Sequence, residues 1–265
     1  MPRGVNALDE ARLQGRLWTP ANLGGNLLGW WDASRAETIT LVSNAVSQWN
    51  DISGLGNHLT QGTAGKRPAY SSFAGRPAVV LDGTDDTLLT TNVTPQNVAI
   101  FAVHGYPNNN SVPPFAWSRN DGNTSAAVQE MHLASSGSIR GVNNNTGPYA
   151  DTPTGTPQSF YDDCILGGAY GQTGNNVMRA HLNGRSASSS TSRQDTTTSP
   201  HCFGMRDNSQ FPAASRFTEI VMFTNWTLPD IWKVEGYFAQ RWGGLPLSRL
   251  IADHPFANRP PLIGD

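Results

Sequence analysis

Leu27-Leu28-Gly29-Trp30-Trp31-Asp32-Ala33 decides the fold class, because its apolar run from Leu27 to Trp31 reads as a first β-strand. Working outward, Pro77-Ala78-Val79-Val80-Leu81 reads as a second strand. Val98-Ala99-Ile100-Phe101-Ala102-Val103-His104 reads as a third, and its unbroken apolarity predicts burial on both faces. Val177-Met178-Arg179-Ala180-His181-Leu182 runs into Asn183-Gly184, the strongest short signal for a hairpin. Arg216-Phe217-Thr218-Glu219-Ile220-Val221-Met222-Phe223 is the last clear strand. A helix over 228–242 follows. Thr227 caps it, Asp230 sits three residues on and Pro229 occupies an early turn. Leu228, Ile231, Val234, Phe238 and Trp242 form its apolar stripe, and Gly243-Gly244 stops it.

Composition agrees with many short strands joined by polar turns. The chain has 265 residues, 27 of them Gly and 18 Pro, and that balance favours turns. Only 14% of residues are charged, against about 25% in an average domain. With 37% hydrophobic residues and 8 Trp there is material for a core. The formal charge of -2 lacks the basic footprint that nucleic acid requires. No apolar run is long enough to span a bilayer. Asp9 and Glu10 stand where a signal peptide would have its apolar core, so no signal peptide is expected. Cys164 and Cys202 then read as small buried hydrophobes of a reducing cytoplasm rather than as a bridge. They have no CxxC spacing for zinc.

Three parts are expected. Residues 1–25 form an N-terminal arm, with Asn6 capping a short helix from Ala7 to Gln14. Residues 26–243 form an all-β domain that includes the helix, and 244–265 form a Pro-rich tail. The polar tracts Pro107–Gly122, Asn143–Gln158 and Ser186–Pro200 are expected to be long loops.

Several motifs carry a family resemblance. They are Trp30-Trp31-Asp32-Ala33, Trp49-Asn50-Asp51-Ile52-Ser53-Gly54-Leu55-Gly56-Asn57-His58, the segment from Gly75 to Asp86, Lys233-Val234-Glu235-Gly236-Tyr237-Phe238-Ala239-Gln240-Arg241-Trp242-Gly243, and Ala252-Asp253-His254-Pro255-Phe256. Together they resemble the laminin-G-like jelly rolls of the concanavalin A-like lectin/glucanase superfamily, in the form common in phage and bacterial surface proteins. The resemblance implies a jelly-roll sandwich. It also implies a non-enzymatic phage virion structural protein, a head decoration, head fibre or tail adhesin, assembled in the host cytoplasm. Its partners would be capsid or tail proteins, copies of itself and host-surface glycans. Leu8, Leu13, Leu17 and Trp18 would anchor the arm to those partners. A free lectin-like carbohydrate-binding module is the alternative, and a polysaccharide hydrolase comes third.

The residues weigh against hydrolysis. A retaining glycosidase needs two carboxylates about 5–5.5 Å apart, and the glucanase members carry a Glu-x-Asp-x-Glu run. Here the matching strand has Glu219 alone, with Phe217, Val221 and Phe223 expected on its face. Glu130 is also alone in Gln129-Glu130-Met131-His132, and Asp162-Asp163 point to opposite faces. No Gly-x-Ser-x-Gly elbow, Walker loop or paired His motif is present. Asp82, Asp85 and Asp86 have oxygen ligands that suit Ca²⁺, yet read more simply as a turn bonding its own amides. No cofactor is therefore expected. For sugar, the physics asks for an exposed ring and planar polar groups. Trp117, Arg119 and Asp121 have that composition, as do Asn144 and Tyr149.

Overall fold

The computed structural model describes residues 18–73, 75–91, 97–105, 115–119, 129–133, 139–143, 149–151, 164–172, 175–190, 200–204, 212 and 214–242. Its strands are β1 (Leu27–Asp32), β2 (Ile39–Val42), β3 (Ala45–Trp49), β4 (Leu59–Thr60), β5 (Ala69–Phe73), β6 (Arg76–Asp82), β7 (Leu88–Leu89) and β8 (Ala99–Gly105). They continue with β9 (Phe115–Arg119), β10 (Gln129–Leu133), β11 (Ile139–Asn143), β12 (Tyr149–Asp151), β13 (Cys164–Gln172), β14 (Asn175–Leu182), β15 (Arg185–Ser190), β16 (His201–Phe203) and β17 (Ala214–Phe223). One α-helix, α1 (Leu228–Trp242), closes the described fold.

The pairing is antiparallel in two runs that meet at β17. One run is β15–β14–β13–β8–β17. The far edge of β17 is shared, by β6 along Ala214–Phe217 and by β1 along 219–223. The other run leads from β6 through β5, β3, β4, β7, β16, β9, β10 and β11 to β12. β2 adds to β3. This is an all-β fold with one C-terminal helix.

Strand β8 explains the layering. Ile100 and Ala102 enter a core with Trp31, Trp49, Leu59, Val79, Phe203, Phe217 and Ile220. Ala99, Phe101 and Val103 enter a second core with Ile231, Val234, Tyr237 and Phe238 of α1. Alternate residues of a strand point to opposite faces, so a strand between two apolar layers reads as continuously apolar. β17 does the same with one irregularity. Its register against β8 shifts between Phe217 and Glu219, a bulge that reverses which parity faces which core. Phe217 therefore shares a core with Ile220 and Met222, while Val221 and Phe223 face the helix. The expectation that Phe217 lies on the face of Glu219 is corrected by that one extra residue.

Two turns and the helix start follow local chemistry. Asn183 and Gly184 have φ of 50° and 78° between β14 and β15, as a type I′ hairpin requires. Ser43 and Asn44, at 54° and 64°, make a second such turn between β2 and β3. At α1, Thr227 Oγ1 donates to Asp230 Oδ2 at 2.6 Å, and the Asp230 amide donates back to Thr227 Oγ1 at 3.3 Å. This reciprocal cap marks the start expected from sequence.

One expectation needs correction here. The tracts expected to be loops contain β9, β12 and most of β15. Of the stretch 1–25 expected to be an arm, residues 18–25 are described. Pro20–Asn26 form 3-10 turns, and Trp18 and Leu23 pack on the helix core. Trp18, expected to anchor the arm, meets Tyr237 edge-on at 6.0 Å. Leu8, Leu13, Leu17 and the tail 244–265 lie outside the described residues.

Candidate functional site

Among the described residues, a dense polar cluster lies beneath α1. Asp32 of β1 and Glu219 of β17 are register partners across the strand pair, and both are fully buried. Glu219 Oε1 accepts from Trp30 Nε1 at 2.6 Å and from the Tyr237 hydroxyl at 2.8 Å. Its Oε2 accepts from Trp242 Nε1 at 2.6 Å, with Arg241 Nε 3.4 Å away. Asp32 Oδ2 accepts from Arg241 Nη2 at 2.6 Å, and Oδ1 from the amide and hydroxyl of Ser34 at 2.9 and 2.7 Å. Arg241 Nη1 also donates to the Tyr237 hydroxyl at 2.8 Å. Burial pushes the Glu219 carboxyl up to about 7, against the pull of Arg241 and the indole donors. Burial and the adjacent Glu219 drive the Tyr237 phenol well above its ordinary value.

Sequence reading missed Asp32 as the second carboxylate because it searched along the strand, at i±2, instead of across it. The signal was present in the Trp30-Trp31-Asp32 and Tyr237–Trp242 motifs, taken as a set of donors around two acids. In this geometry every carboxylate oxygen of the pair is occupied by a protein donor. The cluster ties the last turn of α1 to β1 and β17. A second buried tie joins α1 to β14, where His181 Nδ1 lies 3.4 Å from Glu235 Oε1.

The acidic turn is built locally. Asp82 Oδ1 accepts from the Thr84 amide at 2.7 Å, and Asp86 Oδ2 from the Asp82 amide at 3.0 Å. Ligand-type oxygens of Asp82, Asp85 and Asp86 lie within 4.8 Å of one another. Burial raises the Asp86 carboxyl to about 6, opposed by its bond to the Asp82 amide and reinforced by the two neighbouring acids. The loop from Trp49 to His58 is likewise structural. Asp51 accepts from the amides of Trp30, Ser53 and Asn57, and Asn57 Nδ2 donates to the Leu28 carbonyl at 2.6 Å. Cys202 is buried, with its sulfur 2.9 Å from Thr87 Oγ1.

The residues expected to touch sugar are divided by the fold. Trp117 and Arg119 stand in β9 as register partners of Phe203 and His201. Tyr149 opens β12 as register partner of Val142. Asp121 and Asn144 lie outside the described residues.

No protein-family model matches the chain, and no curated protein matches it. Among solved structures it is similar to Trypanosoma rangeli sialidase in complex with sialic acid, with a TM-score of 0.56 and 8% identity over 79% of this chain and 32% of that one. It is similar to a mutant of a GH54 α-L-arabinofuranosidase soaked with 4-nitrophenyl α-L-arabinofuranoside, with a TM-score of 0.52 and 14% identity over 72% of this chain and 50% of that one. It is also similar to an HCR/D mutant, with a TM-score of 0.57 and 11% identity over 84% and 52%. The chain thus spans about a third of the sialidase and about half of the other two. These likenesses show an all-β fold shared at very low identity. They overturn the expectation of a phage virion structural protein. Two of these three fold relatives are named for action on sugars, and no family model links the chain to virion components.

Proposed function

We propose that the chain is a carbohydrate-binding β-sandwich module of the laminin-G-like jelly-roll type, with no hydrolytic chemistry of its own. The observation that carries this reading is the fold likeness to a sialidase in complex with sialic acid and to an arabinofuranosidase soaked with a 4-nitrophenyl arabinofuranoside. The state of the Asp32–Glu219 pair supports the non-catalytic half. A glycosidase needs one carboxylate free to attack or to activate water and another free to donate a proton at the sugar. Both members of this pair are fully buried and saturated by Trp30, Ser34, Tyr237, Arg241 and Trp242. No metal is part of the proposal; in the acidic turn Asp82 Oδ1 and Asp86 Oδ2 each accept from a local amide.

The test combines titration calorimetry with an assay of 4-nitrophenyl glycosides. Heat of binding to oligosaccharides without release of nitrophenol is the expected result. Steady turnover that is lost in Glu219→Gln would make the buried pair catalytic and defeat the non-enzymatic half.

A further inference from the structure

Two buried acids share one guanidinium under α1. Asp32 and Glu219 are both fully buried and face each other in register across β1 and β17. Arg241 reaches both, with Nη2 2.6 Å from Asp32 Oδ2 and Nε 3.4 Å from Glu219 Oε2. Arg35 approaches Asp32 alone, at 3.5 Å, and its side chain is 47% exposed, so water screens it. A carboxylate taken out of water resists ionisation unless a cation offsets the loss of hydration, so the cluster favours keeping one proton. The bonds of Glu219 decide where that proton sits. Indole and guanidinium groups only donate, whereas a phenol donates and accepts. A proton on Oε2 would face the donors Trp242 Nε1 and Arg241 Nε. A proton on Oε1 has the Tyr237 hydroxyl 2.8 Å away to accept it, and leaves Trp242 bonded to Oε2. Among the described residues, the other groups around this end of α1 do not compete for it. β8 sets Val103 in register with Glu219. Arg76 of β6 donates to the Trp242 carbonyl at 2.6 Å, and His181 meets Glu235 at the contact of α1 with β14.

We infer that this cluster is a pH-operated latch on the C-terminal turn of α1, in which a proton held between Glu219 Oε1 and the Tyr237 hydroxyl keeps the turn closed and loss of that proton loosens it. Tyr237, Arg241 and Trp242 all bond the cluster from that end of the helix. The direction follows from linkage. In the closed state burial holds the Glu219 carboxyl at about 7, against an ordinary value of 4.5 to which an opened, hydrated turn returns it. The closed state therefore binds the proton more tightly, and low pH favours closure. Opening should grow by up to about tenfold per pH unit between those two values, and level off above the upper one. The apolar stripe of α1 stays seated in its core, with Ile231, Val234 and Phe238 fully buried, so the change is confined to the end of the helix.

The experiment follows the indole N–H signals of the isotope-labelled full chain by NMR from about pH 5 to about pH 9. Trp30→Phe and Trp242→Phe assign the two signals of interest. Amide hydrogen exchange over Tyr237–Trp242 is measured across the same range. In wild type both signals should move with a midpoint of about 7. Protection, corrected for intrinsic exchange, should fall as pH rises to that midpoint and stay level above it. Glu219→Gln should flatten both readouts. Tyr237→Phe leaves the anion three donors and the neutral acid no acceptor, so its midpoint should fall by about one pH unit. If Glu219→Gln does not fold, the shift in Tyr237→Phe makes the same test. Signals that stay flat, or that titrate unchanged in Glu219→Gln, overturn the assignment of the proton to Glu219. A titration with level protection overturns the latch, and a midpoint unmoved by Tyr237→Phe overturns the seat of the proton.

Discussion

Glu219 shows how one buried side chain organises its surroundings. Its ordinary value is 4.5 and burial raises it to about 7. An acid held above its unfolded value adds its full stability below about pH 4.5, and that share is lost as pH rises through about 7. The span amounts to about 3 kcal/mol. His104, held down to about 3 by burial, has the opposite sign. Its share is present above pH 6.5 and lost as pH falls through about 3. The wild-type profile therefore mixes both, and the difference from Glu219→Gln isolates the carboxyl. Urea denaturation of the two proteins from about pH 4 to about pH 8 should show that difference falling with pH. A flat difference would mean that the carboxyl titrates normally in the fold. Asp32 was legible in the sequence as a motif residue. Its pairing with Glu219 was not, because a cross-strand register is a tertiary fact that spacing along the chain does not encode.

At the scale of elements, α1 is held by an apolar stripe and by Arg241. At about pH 8, where Glu219 is ionised, replacing Arg241 by Ala removes the cation that Glu219 and Asp32 share, leaving Asp32 only the exposed Arg35 at 3.5 Å, and should cost about 3 kcal/mol. In a Glu219→Gln background the cost should fall to about half, because one of the two charges is gone. Denaturant titration of the double-mutant cycle reads this coupling, and simple additivity would contradict the clasp. Gly167 of β13 has a different constraint. A Cβ there would collide with the Phe101 ring, so Gly167→Ala should destabilise by about 1–3 kcal/mol, measured by the shift in denaturation midpoint. The helix over 228–242 and the strands β1, β6, β8, β14 and β17 were legible, since each has an unambiguous period, cap or turn. β9, β12 and β15 were not. Their residues, such as the Ser-rich run Arg185–Ser190, have little hydrophobic pattern. Strand pairing holds them where propensity alone would leave a loop.

For the molecule as a whole, the sheet of β8, β13 and β17 separates two cores, one facing the second run of strands and one facing α1. That arrangement dedicates the face under the helix to stability. The all-β class was legible from composition and turns, whereas the functional expectation was not. Motifs such as Tyr237–Trp242 describe how the helix is fastened, and a fastening is compatible with many roles. Screening the wild-type full chain on a glycan array tests the central claim most directly. Saturable binding to a related group of oligosaccharides is the result expected of a carbohydrate-binding module. A blank array at high protein concentration would contradict it.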